Sequence, residues 1–219
     1  MSIKANVERL YQEIAAVNKN CRIVAATKTR TIDEIREAMD TGLILSAGEN
    51  RVQELTEKFT PDFRWDFIGQ LQTNKVKYVV GRATLIHSVD RLNLAEVIDK
   101  ESKKKGVISD VLIEVNSGKE ESKGGIFLED VAAFLDEMAK FDNIKVRGLM
   151  AVAPLYYTEE QLSRTFDEVY SVYRGLEGGE FNCLSMGMSN DYLIAAKSGA
   201  NMVRLGRAIF GERGVHGEN

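Results

Sequence analysis

A lysine at the end of an apolar run is the residue in this chain best suited to covalent chemistry. Lys28 closes the run Ile23-Val24-Ala25-Ala26-Thr27-Lys28. Such a run reads as a buried parallel strand with an ammonium group at its C-terminal end. In α/β folds ligands gather at that end, because the loops that follow the strands meet there. Apolar walls disfavour the charged amine and free it to attack a carbonyl. Taken alone, a strand-end lysine more often extends into solvent, so other residues have to support the chemical reading.

Those residues lie near the other end of the chain. The segment Leu184-Ser185-Met186-Gly187-Met188-Ser189-Asn190-Asp191 runs from a strand into a helix. Ser189 is placed as the N-cap of that helix, where free N–H groups can receive an anion. The next strand ends in Arg204-Leu205-Gly206-Arg207, and Gly206 lets a ligand approach the backbone. Side chains alternate along strands, so Met202, Arg204 and Gly206 share one face, as do Val24, Ala26 and Lys28. If both faces point into a closed barrel, Lys28 and Arg204 are neighbours. An amine, a permanent guanidinium and a phosphate cradle around one space describe a pocket for a phosphorylated aldehyde. Pyridoxal phosphate fits, with its aldehyde on Lys28, its phosphate by Ser189 and Gly206, and its pyridine nitrogen toward Arg204.

The elements that must position these groups alternate. Strands are expected from Ile23 to Lys28, Leu43 to Ala47, Arg64 to Ile68, Leu85 to Val89, Asp110 to Val115, Val146 to Val152, Phe181 to Met186 and Met202 to Leu205. Between them lie helices, including one capped by Thr31, a short one from Thr73 to Val80, one capped by Asp90, and others over Leu128 to Phe141, Glu159 to Leu176 and Asn190 to Ser198. A further helix built on Val7, Leu10, Tyr11, Ile14 and Val17 precedes the first strand. Eight βα units predict a single α/β domain over residues 1–219, a (β/α)8 TIM barrel with an extra N-terminal helix. An open doubly wound sheet is the alternative, and the first strand lacks the GxGxxG turn that would favour it.

Composition narrows the class. Hydrophobic residues make up 44% of the 219 residues, enough for a full core, and the formal net charge of -4 gives no basic field for nucleic acid. Cys21 and Cys183 are far apart and form no zinc spacing, and His87 and His216 are the two histidines, so no metal site is expected. Without a signal-peptide core or a membrane-length apolar stretch, the chain is expected to be soluble and cytoplasmic. His87 reads as a satisfied core or rim residue, and His216 sits in a glycine-rich tail. Lys103-Lys104-Lys105 reads as a solvated helix end. Glu120-Glu121 does not read as a catalytic carboxylate pair. Met186 reads as packing, whereas Met188 is placed to touch a cofactor.

The chain resembles the pyridoxal phosphate homeostasis (pyridoxal phosphate-binding) proteins over nearly its whole length. The matching segments include Ala26-Thr27-Lys28-Thr29, Gly48-Glu49-Asn50-Arg51-Val52-Gln53-Glu54, Phe67-Ile68-Gly69 with Leu71-Gln72-Thr73-Asn74-Lys75, and Ile86-His87-Ser88-Val89-Asp90. Glu121-Ser122-Lys123, Arg147-Gly148-Leu149-Met150, Leu184 to Ser189, and Val203-Arg204-Leu205-Gly206 with Ile209-Phe210-Gly211 continue the pattern. The resemblance implies a barrel like the N-terminal domain of alanine racemase, of the type III pyridoxal phosphate fold. It implies a Schiff base on Lys28, Asn50 near the ring, phosphate on Ser189 and Gly206, and Arg204 facing the pyridine nitrogen. Two positions depart from the family pattern. Arg207 stands where a small hydroxyl residue is usual, leaving its backbone N–H for phosphate. Asp66 and Gln70 stand where histidine and proline flank Phe-Ile-Gly.

Arginine has donors and no acceptor and stays protonated, so a nitrogen facing it must accept and remain unprotonated. That ring is a poorer electron sink than one paired with a carboxylate. Two-base racemisation also needs a group on each face of the substrate carbon, and alanine racemase draws its second base from a C-terminal domain, whereas this chain ends soon after its last strand. The leading expectation is a protein that binds, buffers and delivers pyridoxal phosphate to apo-enzymes with little or no turnover, working as a monomer. The alternatives are a monomeric pyridoxal phosphate-dependent amino-acid racemase with Lys28 as its base, and a cofactor-free isomerase or aldolase acting on a phosphosugar.

Overall fold

Parallel strands buried on both faces need helices outside and side-chain filler inside, and the computed structural model has both. It describes residues 2–118 and 124–212. The motif Glu121-Ser122-Lys123, the pair Glu120-Glu121 and His216 lie outside the described residues. The chain begins with helix α1 (Ile3–Val17), then β1 (Arg22–Ala26), α2 (Ile32–Met39), β2 (Ile44–Glu49) and α3 (Val52–Lys58). It continues through β3 (Trp65–Phe67), a 3-10 turn (Thr73–Lys75), α4 (Val76–Val79), β4 (Leu85–Val89), α5 (Leu92–Lys105) and β5 (Ser109–Val115). After a second 3-10 turn (Leu128–Asp130) come α6 (Val131–Met138), β6 (Ile144–Ala151), α7 (Glu159–Leu176), β7 (Cys183–Met186), α8 (Tyr192–Lys197), β8 (Met202–Leu205) and α9 (Arg207–Phe210).

The strands close into a barrel in the order β1 to β8, every pairing parallel. The expected barrel and its leading helix are therefore present. Strand alternation sets what fills it. Val24, Leu85, Leu112, Met150, Cys183 and Met202 form an inner apolar cluster. Residues of opposite parity, among them Trp65, Phe67, Ile86, Val111, Leu149 and Leu184, pack outward under the helices. Helix α1 places Val7, Leu10 and Ile14 against Ile23, Ala25, Val203 and Leu205, so it seals the outside of the β1–β8 seam. That seam is where Lys28 and Arg204 emerge.

Several boundaries differ from the sequence reading. β1 stops at Ala26, so Lys28 lies in the turn beyond the strand rather than on it. The helix expected over 73–80 is a 3-10 turn followed by one short α-turn. Asp90 does not cap α5; Arg91 occupies the N-cap position without a side-chain cap, and Asp90 pairs with Arg91 instead. Cap assignment depends on where the first helical turn starts, which periodicity fixes only loosely. The two cysteines are free and buried, and burial raises both thiols to about 12. Among the described residues no helix is long and apolar enough to cross a membrane, and no cluster of potential metal ligands occurs.

β6 and β7 approach unusually closely at Gly148. Its φ is +149°, and a Cβ there would lie 1.7 Å from the Cys183 carbonyl oxygen. Gly148→Ala is expected to lower stability by more than about 2 kcal/mol, since both strain and backbone displacement oppose it. Urea unfolding of the variant measures this directly.

Candidate cofactor site

Two residues further along several strands, the inward positions change from apolar to polar. Leu85 gives way to His87, Leu112 to Glu114, Cys183 to Ser185 and Met202 to Arg204. A cavity of about 400 Å³ opens on this end of the barrel, within the size range of small-molecule sites. Ala26, Lys28, Asn50, Met188, Ser189, Arg204, Gly206 and Arg207 all line it. Every site residue expected from sequence is thus brought to one space. Its lining carries four cationic side chains, Lys28, Arg30, Arg204 and Arg207, against the single carboxylate Asp191. A larger groove of about 530 Å³ adjoins it at Asn50 and runs along α3 toward Tyr78. That groove contains neither Lys28 nor Ser189 and Gly206, so the smaller cavity is the candidate site.

The turn carrying Lys28 is held from below. Thr29 adopts φ +65°, a conformation that strains a β-branched residue. Its N–H donates to Glu54 Oε2 at 2.7 Å. Lys58 Nζ donates to that same oxygen at 2.7 Å, to Glu49 Oε1 at 2.9 Å and to the Thr27 carbonyl at 3.0 Å. Thr27 Oγ1 also donates to Glu49 at 2.6 Å. The Gly-Glu-Asn motif is thereby explained: Glu49 points outward into this clamp, while Asn50 lines the cavity. Gly69 is required beside it, because a Cβ there would meet the Asn50 carbonyl oxygen at 2.1 Å.

At the opposite side Ser189 is not an N-cap of α8. That helix begins at Tyr192 with Asp191 in the N-cap position. The Ser189 hydroxyl oxygen instead accepts from the N–H groups of Gly206 at 3.3 Å and Ala208 at 3.2 Å. It sits where two backbone donors converge at the start of α9, the place an anionic oxygen would take. A Cβ on Gly206 would crowd the Ala26 carbonyl at 3.2 Å and fill the cavity wall. Asp191 Oδ1 accepts from the Met188 N–H at 2.5 Å. Burial raises the Asp191 carboxyl, with that bond opposing.

Arg204 forms the floor and is 5% exposed. Nη1 donates to the Ser185 carbonyl at 2.8 Å and Ser185 Oγ at 2.6 Å, and Nη2 donates to the Ala151 carbonyl at 2.8 Å. A guanidinium has more N–H donors than these three bonds use. Burial lowers its pKa to about 10, with Glu114 and Asp191 opposing, so it stays charged at neutral pH. The sequence reading missed Glu114, whose carboxyl is raised to about 7, first by burial and then by the charge of Asp90. Its signal was the inward parity two residues beyond Leu112. A lysine amine, an anion cradle and a charged donor at the floor fit a phosphorylated aldehyde whose ring carries an acceptor nitrogen.

The clamp yields a test. Glu49 is fully buried and Lys58 is 14% exposed, so Lys58→Met leaves a buried carboxylate without its cation. A loss of about 3 kcal/mol is expected. Burial already raises the Glu49 pKa against the pull of Thr27 and Lys58, and removing Lys58 raises it further. The folded variant then binds a proton more tightly than the unfolded chain. Its deficit against the parent should shrink on acidification and grow as pH rises through the raised pKa. Denaturant unfolding at a series of pH values measures both; a pH-independent difference would contradict it.

Comparison with known proteins finds relatives over nearly the whole chain. The family model for the alanine racemase N-terminal domain matches residues 1–214. The pyridoxal phosphate homeostasis protein of Aquifex aeolicus is 42% identical over 218 residues, covering 94% of this chain and 95% of that protein. The structure of PipY from Synechococcus elongatus with pyridoxal phosphate bound superposes with a TM-score of 0.82 at 31% identity, covering 94% of this chain and all of that one. Alanine racemase of Clostridium difficile, at 14% identity and a TM-score of 0.75, shares the fold over 95% of this chain and 60% of its own. The chain belongs to the pyridoxal phosphate homeostasis protein family.

Proposed function

We propose that this chain binds pyridoxal phosphate at the β1–β8 rim and holds it for delivery, with little or no turnover. One observation carries the reading: Lys28, the Arg204 guanidinium and the Ser189–Gly206 cradle line the same cavity. The cofactor named for the Aquifex relative and bound in PipY supports it. Lys28 would hold the aldehyde. Ser189, Gly206 and the amides of Arg207 and Ala208 would hold the phosphate, Arg204 the ring nitrogen, and Asn50 and Met188 the flanks of the ring. When bound, the cofactor supplies an electrophilic aldehyde and a ring able to take up electron density.

Arg204 works against full use of that ring. It donates and offers no acceptor, so it keeps a proton off the facing nitrogen. Racemisation needs a proton-transfer group on each face of the reacting carbon. Among the described lining residues Lys28 is one such group, and Asp191 is occupied by the Met188 N–H. Glu114 is the observation that favours a slow racemase instead. Its carboxyl is held near 7 and lines an adjoining cavity of about 160 Å³ that meets the main one at Val152. The working form proposed with it is a monomer.

Protein incubated with pyridoxal phosphate should gain visible absorption, and borohydride should fix the cofactor on Lys28, as peptide mass mapping will show. A colourless parent protein sinks the reading, and so does attachment to another lysine. Ser189→Ala should weaken cofactor binding by roughly 1.5–3 kcal/mol, one hydrogen bond to a charged group. Exchange of the α-proton of L-amino acids with solvent deuterium separates the two readings. Sustained turnover near 1 per second or more, an ordinary enzymatic rate, would make the chain a racemase. Transfer to an apo-enzyme without such turnover supports delivery. Light scattering that finds an obligate dimer would overturn the monomer.

A further inference from the structure

Behind the groups assigned to the cofactor, hydrogen bonds lead from Arg204 across the barrel interior. Arg204 Nη1 lies 2.6 Å from Ser185 Oγ, and Ser185 Oγ lies 3.3 Å from His87 Nδ1. His87 Nε2 lies 3.4 Å from Asp66 Oδ2, which also accepts from Ser46 Oγ at 2.6 Å. The chain of contacts crosses from β8 through β7, β4 and β3 to β2. Ser185 and His87 are 0% exposed and Asp66 is 1% exposed.

Proton bookkeeping fixes its direction. A guanidinium can only donate, so Ser185 Oγ accepts from Arg204 and its own hydrogen is left for His87 Nδ1. A hydroxyl oxygen could accept a second bond, but Nδ1 is the one acceptor within reach of the Ser185 hydrogen among the described contacts; satisfying that hydrogen makes Nδ1 accept and places the imidazole hydrogen on Nε2, facing Asp66. The carboxylate accepts from His87 and from Ser46. Each hydrogen points from the cation toward the anion. An imidazolium would carry hydrogen on both nitrogens and break the order. Burial, the largest influence on His87, lowers its pKa and agrees with a neutral ring.

Packing alone does not account for Asp66. Among the described residues its Oδ1 is buried with no hydrogen-bond partner, a destabilising arrangement that an apolar residue would avoid. We propose that Asp66, His87 and Ser185 are positioning residues that fix the orientation and charge of Arg204 at the cavity floor, with His87 neutral and protonated on Nε2. Through Arg204 they set the hydrogen bond offered to the cofactor ring; that part rests on the proposed pyridoxal phosphate site.

The first measurement needs no cofactor. The chain has two histidines, so nitrogen-15 NMR of the parent and a His216→Asn variant assigns His87. The expected spectrum shows the Nε2–H tautomer, with no titration from about pH 5 to 8, where a free histidine would titrate. Asp66→Asn should abolish that single tautomer, and Ser185→Ala, which removes the donor to Nδ1, should shift the Nδ1 resonance. Both should still bind pyridoxal phosphate within about tenfold of the parent, since Lys28 and the cradle are untouched. Both should shift the bound cofactor's absorption maximum or its pH profile, and Ser185→Thr, which keeps the hydroxyl, should restore the parent behaviour. If one variant does not fold, the other carries the test. An Nδ1–H tautomer or an imidazolium in the parent would overturn the proposal, as would folded variants with unchanged tautomer and spectrum. If the parent shows the expected tautomer and binds no cofactor, the proposed function fails while the positioning of Arg204 stands.

Discussion

The guanidinium of Arg204 is enclosed by the barrel, and an enclosed charge has to be answered. Its acceptors are the carbonyls of Ala151 and Ser185 and the hydroxyl of Ser185, all at the C-terminal ends of β6 and β7. Those atoms meet Arg204 only when β6, β7 and β8 hold their register, in which Ala151 pairs with Met186 and Ser185 with Met202. Closing the barrel and building the cavity floor are therefore one event. A lysine could not substitute, because a point charge cannot span two strand ends with a planar fork.

The other side of the cavity follows a different logic. Lys28 stands on a turn beyond β1, and that turn contains the strained Thr29. A strained turn persists when its surroundings over-determine it. Here Glu54, Lys58 and Glu49 do so from outside the barrel, through α3 and the end of β2. The floor is rigid because it is part of the sheet. The amine is placed because a buried ion cluster holds its loop.

These two halves differ in how far the sequence discloses them. Strand parity is periodic, so the inward placement of Val24, Ala26, Met202 and Arg204 could be derived without coordinates, and the barrel with it. Lys28, Asn50, Met188, Ser189, Arg204, Gly206 and Arg207 were legible as strand-end residues. What Ser189 contacts was not. Its partners, Gly206 and Ala208, are the N-cap and second residue of a four-residue helix, α9, too short to leave a periodic signal. Asp66 read only as a departure from a family pattern. Its partners lie 20 and 21 residues away on other strands, and Ser185 lies 98 residues from His87. Local patterns carry no information about pairings at that separation.

The Ser189 contact also bears on holding as against releasing. A backbone donor buried without a partner is expensive, so an anion site made of bare N–H groups would be reluctant to let its ligand go. In this chain the Gly206 and Ala208 donors have a protein acceptor of their own, the Ser189 hydroxyl oxygen. A phosphate oxygen that enters takes over those two N–H groups while the freed Ser189 hydroxyl turns to donate its hydrogen to the phosphate, and departure of the phosphate lets the hydroxyl oxygen accept from the N–H groups again. The covalent link to an amine is reversible in the same way. Under the proposed function, both ends of the cofactor are then held by contacts that can be surrendered without leaving an orphaned group behind. The bonding of Arg204 to the Ser185 and Ala151 carbonyls needs no ligand, and it keeps the site in shape between ligands.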